Sequence, residues 1–94
     1  MELALSTRAE RNAELAFERD QLAKADVDLE QGRSRYRNQQ DLLEALQVCK
    51  HDTRQAERLV QLLGQTLQQW EAHRLLILQR IDYLEELNRS SIPD

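Results

Sequence analysis

LAFERDQLAKADVDLEQGRSRYRNQQDLLEAL, residues 15–46, sets Leu15, Leu22, Leu29, Tyr36 and Leu43 seven residues apart without a break. A second stretch, VQLLGQTLQQWEAHRLLILQRIDYL at residues 60–84, answers it. There Val60, Leu67, Arg74 and Ile81 form one series, and Leu63, Trp70, Ile77 and Leu84 fill the alternate slots. A seven-residue apolar repeat is the pattern of a helix that hides one stripe against another helix. Two such stripes in 94 residues predict two long helices that pack on each other or on copies of themselves.

Folding the chain back at Lys50–Thr53 pairs core positions whose numbers sum to 102 or 103. Leu46 then meets Ala56, Leu43 meets Val60, Tyr36 meets Leu67, Ala25 meets Ile77 and Leu22 meets Ile81. Gly32 falls opposite Trp70, the smallest residue against the largest, as interdigitating layers require. The expected fold is all-α, an antiparallel coiled-coil hairpin of two long helices that dimerises into a four-helix bundle. Its core seam is expected to contain Leu22, Leu29, Gly32, Tyr36, Leu43, Val60, Leu67, Trp70, Ile77 and Ile81.

The punctuation supports one hairpin domain over residues 1–94. Helix 1 is expected over about 8–50, the turn over about 50–53 and helix 2 over about 53–89, with short tails at 1–6 and 90–94. Thr7-Arg8-Ala9-Glu10 reads as a capping box, Thr7 at the N-cap and Glu10 reaching back. Lys50 suits a helix C-terminus, where a cation interacts favourably with the dipole. Asp52 is expected to cap the second helix, with Gln55 reciprocating, and Pro93 to prevent continuation. One unbroken helix, or three helices broken at Gly32 and Gly64, are the competing layouts. Position 89 should pair with about position 14, leaving Leu3, Leu5 and Ala9 overhanging.

Composition narrows the function. Aromatics at 4%, charged residues at 32%, two glycines and one proline suit long exposed helices and argue against a sheet protein. The net charge of -4, from 17 acidic and 13 basic side chains, lacks the basic surplus of a nucleic-acid binder. Arg33, Arg35 and Arg37 form a cationic knot, but on a helix they do not share one stripe. Cys49, the single cysteine, rules out an internal disulfide. No signal peptide opens the chain, and no apolar run approaches the roughly 20 residues needed to cross a bilayer. A soluble cytoplasmic protein with no membrane and no nucleic-acid partner is expected.

Catalytic motifs are missing: there is no phosphate loop, nucleophile elbow or zincin spacing. Cys49, His51 and Asp52 cluster near the turn, but a tetrahedral site needs four protein ligands and these supply three at most. No enzyme activity, cofactor or metal is expected. Several seam positions are polar: Arg74 and Asn88 on helix 2, Gln39 opposite Leu63, and Glu18 opposite Leu84. Arg74, facing Leu29, should reach out towards Asp26 or Glu30.

Helix 2 hides more than one stripe. Leu59, Leu62, Leu76, Tyr83 and Leu87 lie off the seam, and Leu75-Leu76-Ile77-Leu78 wraps most of the helix. A hairpin buries one side only, and contiguous exposed apolar surface marks an interface. These five residues are the expected partner-binding contacts, placed for helix-in-groove recognition. The expected function is a non-enzymatic coiled-coil interaction module (adaptor, assembly subunit or small chaperone) with protein partners, both itself and another helical protein. A purely structural homo-oligomerising coiled coil is the alternative. The segment Tyr36 to Leu46, with Leu42-Leu43-Glu44-Ala45-Leu46, together with the chain's size and layout, resembles small helical chaperones and stalk-associated coiled coils of flagellar and type III export systems. That resemblance implies a role in shielding an export substrate or subunit before assembly.

Overall fold

In the computed structural model, residues 7–90 are described, and Leu3, Leu5 and Pro93 lie outside them. Two helices, α1 (Arg8–Val48) and α2 (Arg54–Ser90), pack along each other as an antiparallel hairpin. The molecule is a rod of 68 × 22 × 15 Å. Both glycines lie inside unbroken helices, so neither the single-helix nor the three-helix layout is adopted.

Helix α1 begins where the capping pattern places it. The Glu10 backbone N–H donates to Thr7 Oγ1 at 3.0 Å, and the Thr7 N–H donates to Glu10 Oε1 at 2.8 Å. Two of the four orphan donors at the helix start are thereby satisfied.

The turn differs in detail from the sequence expectation. Helix α1 stops at Val48, and Lys50 adopts φ 61°, the left-handed region. The His51 N–H donates to Leu46 O at 2.9 Å and the Lys50 N–H to Gln47 O at 3.1 Å. This is a Schellman closure with lysine in the slot that glycine usually fills. Lys50 therefore ends the helix by its backbone, and the last turn of α1 carries no cation. Asp52 stands two residues ahead of α2. Its Oδ1 accepts the Arg54 N–H at 3.1 Å, and Arg54 Nη2 lies 2.9 Å from Oδ2. Those two contacts, the side chain's first, hold the exposed Asp52 carboxyl below its ordinary pKa. Gln55 does not reciprocate in this cap. Thr53 and Glu57 close it, with Thr53 Oγ1 donating to Glu57 Oε2 at 2.6 Å and the Glu57 N–H donating to Thr53 O at 2.8 Å.

The seam is buried most completely away from the turn. Leu29 and Ile77 are each 1% exposed, and Leu15, Ile77, Ile81 and Leu84 form one cluster, with Leu22 and Ala25 against it. Gly32 and Leu67 are also buried. Towards the turn, Tyr36, Leu43, Leu46, Ala56 and Val60 are only half-buried. Two helices enclose a single line of contact, so each side chain there stays open on its flanks.

Gly32 permits the closest approach along the seam. A Cβ at this position would stand 2.9 Å from Leu67 Cδ2 and 3.0 Å from Trp70 Cζ3. Trp70 thus meets Gly32, as the pairing scheme requires, but it remains 37% exposed. Its ring covers the seam from the rim and does not form the buried wedge expected.

Candidate interaction face

Arg74 and Asn88, two of the polar residues that interrupt the seam, make hydrogen bonds across it. Arg74 Nε donates to Asp26 Oδ1 at 2.5 Å, its stem crossing the seam beside buried Leu29. Glu18, opposite Leu84, lies 3.3 Å from Arg80 Nε through Oε1, an ion pair that lacks hydrogen-bond geometry. Arg19–Glu85 at 2.8 Å and Arg33–Glu71 at 3.1 Å bridge the two helices on one flank. Each is exposed and contributes at most about 1 kcal/mol. Arg33 is therefore paired across the hairpin. Arg35 instead borders a shallow hollow with Asn38 and Leu59 on the opposite flank, so the three arginines form no common stripe.

Asn88 organises the open end. Arg11 Nε donates to Asn88 Oδ1 at 2.7 Å, and Asn88 Nδ2 donates to Asn12 Oδ1 at 3.0 Å. Arg8 Nη1 also reaches the Asn88 carbonyl at 3.4 Å. Helix α1 is thus engaged from its first residue, and the overhang is shorter than the dozen residues expected. Arg11, 7% exposed, is a seam residue that the apolar heptad could not reveal. The only hint was its position, seven residues before Glu18. Asp20–Lys24 and Glu85–Arg89 have the i, i+4 spacing of helix-surface ion pairs, but Arg89 pairs with Glu86 at 2.6 Å while Glu85 turns to Arg19. Asp20 and Lys24 do pair, at 3.6 Å.

Off the seam, α2 carries an uncovered apolar surface. Leu59 is 40% exposed, Leu62 52%, Leu76 53% and Tyr83 65%. Leu87 is half-buried. Ile77, one residue beyond Leu76, is sealed in the seam. Leu59 and Leu62 line a shallow hollow with Arg54, Gln55 and Arg58 near the turn. Phe17, Val27, Leu42 and Val48 of α1 are exposed as well. The sequence carries Val27, Leu42, Ala45 and Val48 as a modest second apolar set on helix 1, and Phe17 lies outside it and outside the heptad.

Among the described residues, no three His, Cys, Asp or Glu side chains come together as a metal site. Cys49 is exposed at the end of α1. No described helix is long and apolar enough to cross a membrane. No protein-family model, curated protein or solved structure matches the chain.

Proposed function

We propose that this chain is a non-enzymatic interaction module that binds a helical protein partner through the outer face of α2. The carrying observation is the exposure of Leu59, Leu62, Leu76 and Tyr83 on a helix whose opposite side is sealed against α1. Fully burying an exposed side chain of this kind contributes about 1.5–3 kcal/mol, and these four, half exposed in the hairpin, offer about half of that each. Four along one helix are enough to drive docking of a partner helix at i, i+3, i+4 and i+7 spacing. The hairpin's role is to hold that face straight and pre-ordered, which lowers the entropy lost on binding. A cytoplasmic setting belongs to the same proposal, since exposed Cys49 survives as a thiol where disulfides are rare.

The alternative is a structural homo-oligomerising coiled coil. It draws support from the polar seam contacts of Arg74 and Asn88, since polar seam residues commonly fix register in assemblies. The test compares cross-linked partners in extracts of the native cell between the natural chain and a Leu62→Glu, Leu76→Glu, Tyr83→Glu variant. A partner, whether another protein or a second copy, should be held by the former and lost from the latter at equal helicity. Identical partners on both chains would remove α2's outer face from consideration.

A further inference from the structure

We infer that the turn-proximal half of the hairpin takes an acidic amphipathic helix of another protein, laid in the groove that Leu59 lines between α1 and α2. The inference rests on the interaction-module proposal and names the chemistry of its partner and the stretch of α2 that receives it.

The two helices seal their seam unequally. Among the described residues, every buried one lies at or before Gly32 on α1 or at or after Leu67 on α2. Between these limits Tyr36, Leu43, Val60 and Leu63 hold seam positions but stay half-buried. One flank of this half is open and apolar. Arg35, Asn38 and Gln39 of α1 share a shallow hollow with Leu59 and Leu63 of α2. Leu59 also lines the neighbouring hollow, with Leu62 and Arg58. Leu42, one heptad after Arg35, continues the same flank and is exposed. A third helix seated there covers Leu42, Leu59 and Leu62 and closes the edge of the unsealed seam, as the third member of a bundle does. From Arg35 to Leu46 the seat is about 17 Å long, or three helical turns.

Charge decides the partner's chemistry. Arg35 rims the groove on the α1 side and Arg58 on the α2 side, and among the described residues neither has an ion-pair partner. Arg54, at the groove's end, is held by Asp52. No Asp or Glu lines either hollow. The nearby acids are elsewhere: Asp41 and Glu44 occupy outer heptad positions of α1, and Glu57 is engaged by Thr53. Residues 33–66 carry six Lys and Arg against four Asp and Glu, while the rest of the chain carries seven against thirteen. An acidic helix is therefore drawn to the turn-proximal half and repelled by the other. The chain's own acidic half does not supply such a helix, because Asp26, Glu71 and Glu85 are already engaged by Arg74, Arg33 and Arg19. A nucleic acid would neutralise the arginines but leave the leucines uncovered.

Fluorescence anisotropy of a labelled synthetic helix against the full chain tests the inference. The probe has about four turns, with leucines at i, i+3, i+4 and i+7 spacing and glutamates on both sides of them. A control probe carries lysine for every glutamate. The glutamate probe should bind about tenfold or more tightly than the control, and its binding should weaken as salt rises. Arg35→Glu with Arg58→Glu should weaken it about tenfold at unchanged helicity, and Leu59→Glu with Leu62→Glu should abolish it. Leu76→Glu with Tyr83→Glu, more than about 20 Å further along α2, should leave it unchanged. Equal binding of the two probes, or binding of neither, would overturn this inference and leave the helical-partner reading to its own test in cell extracts. Binding lost only through Leu76→Glu with Tyr83→Glu would likewise overturn the groove and keep that reading. Displacement of the probe as the chain self-associates, or by a DNA duplex, would give the groove to a second copy or to a nucleic acid and overturn the inference. A glutamate probe that binds every variant equally would overturn both the inference and the function it rests on.

Discussion

At the scale of single residues, the two glycines show how context decides what a side chain is worth. A Cβ at Gly64 would lie 3.4 Å from Tyr36 Cε1, an ordinary contact, whereas one at Gly32 would stand 2.9 Å from Leu67 Cδ2. Alanine is favoured over glycine in a helix by about 1 kcal/mol. Gly64→Ala should therefore raise the melting temperature in circular dichroism. Gly32→Ala should gain nothing or lose stability, because Leu67 is buried and has to move. Lys50 offers a third case: a left-handed φ of 61° costs a non-glycine residue about 1–2 kcal/mol. Lys50→Gly should stabilise the hairpin by about 1 kcal/mol, read as a shift of the urea midpoint. Of these features, the closeness of Gly32 to Trp70 was legible in the sequence, from size complementarity across the heptads. The left-handed Lys50 was not, because lysine carries no turn signal and the Schellman bonds are made by backbone.

At the scale of the helix, α2 has two faces of opposite fate, separated by a single peptide bond. Ile77 is 1% exposed and Leu76 is 53% exposed. Ile77→Ala should cost about 2–5 kcal/mol, while Leu76→Ala should leave the dilute, unassociated hairpin nearly unchanged. Urea unfolding of both variants at low protein concentration measures the contrast, and equal losses would mean that Leu76 is buried within one chain. Heptad spacing was sufficient to identify the helices and their seam, because a period of seven residues specifies which stripe turns inward. It did not reveal Arg11, whose burial depends on a hydrogen bond to Asn88 from the far end of the chain. Nor did it place Trp70 at the rim, since heptad phase gives a direction but not how far two helices enclose a ring.

For the whole molecule, the governing fact is that a two-helix rod has one line of internal contact and a great deal of surface. Its principal extents of 68 × 22 × 15 Å leave most side chains in solvent, and the seam fades towards the turn. Small single cores supply little net stability, so domains of this size gain from association. The uncovered face of α2 is where that gain is available. Its existence was legible in the sequence as a second apolar series, whereas the exposure of Phe17 emerged only once the two helices were set side by side. If the face is used for self-pairing, melting temperature should rise with protein concentration.

Cross-linking in extracts of the native cell, on the natural chain and on a Leu62→Glu, Tyr83→Glu variant matched in helicity by circular dichroism, tests the central claim most directly. The account predicts that the natural chain holds a partner, another protein or a second copy, which the variant loses. Identical partners on both chains, or none on the natural chain, would contradict it.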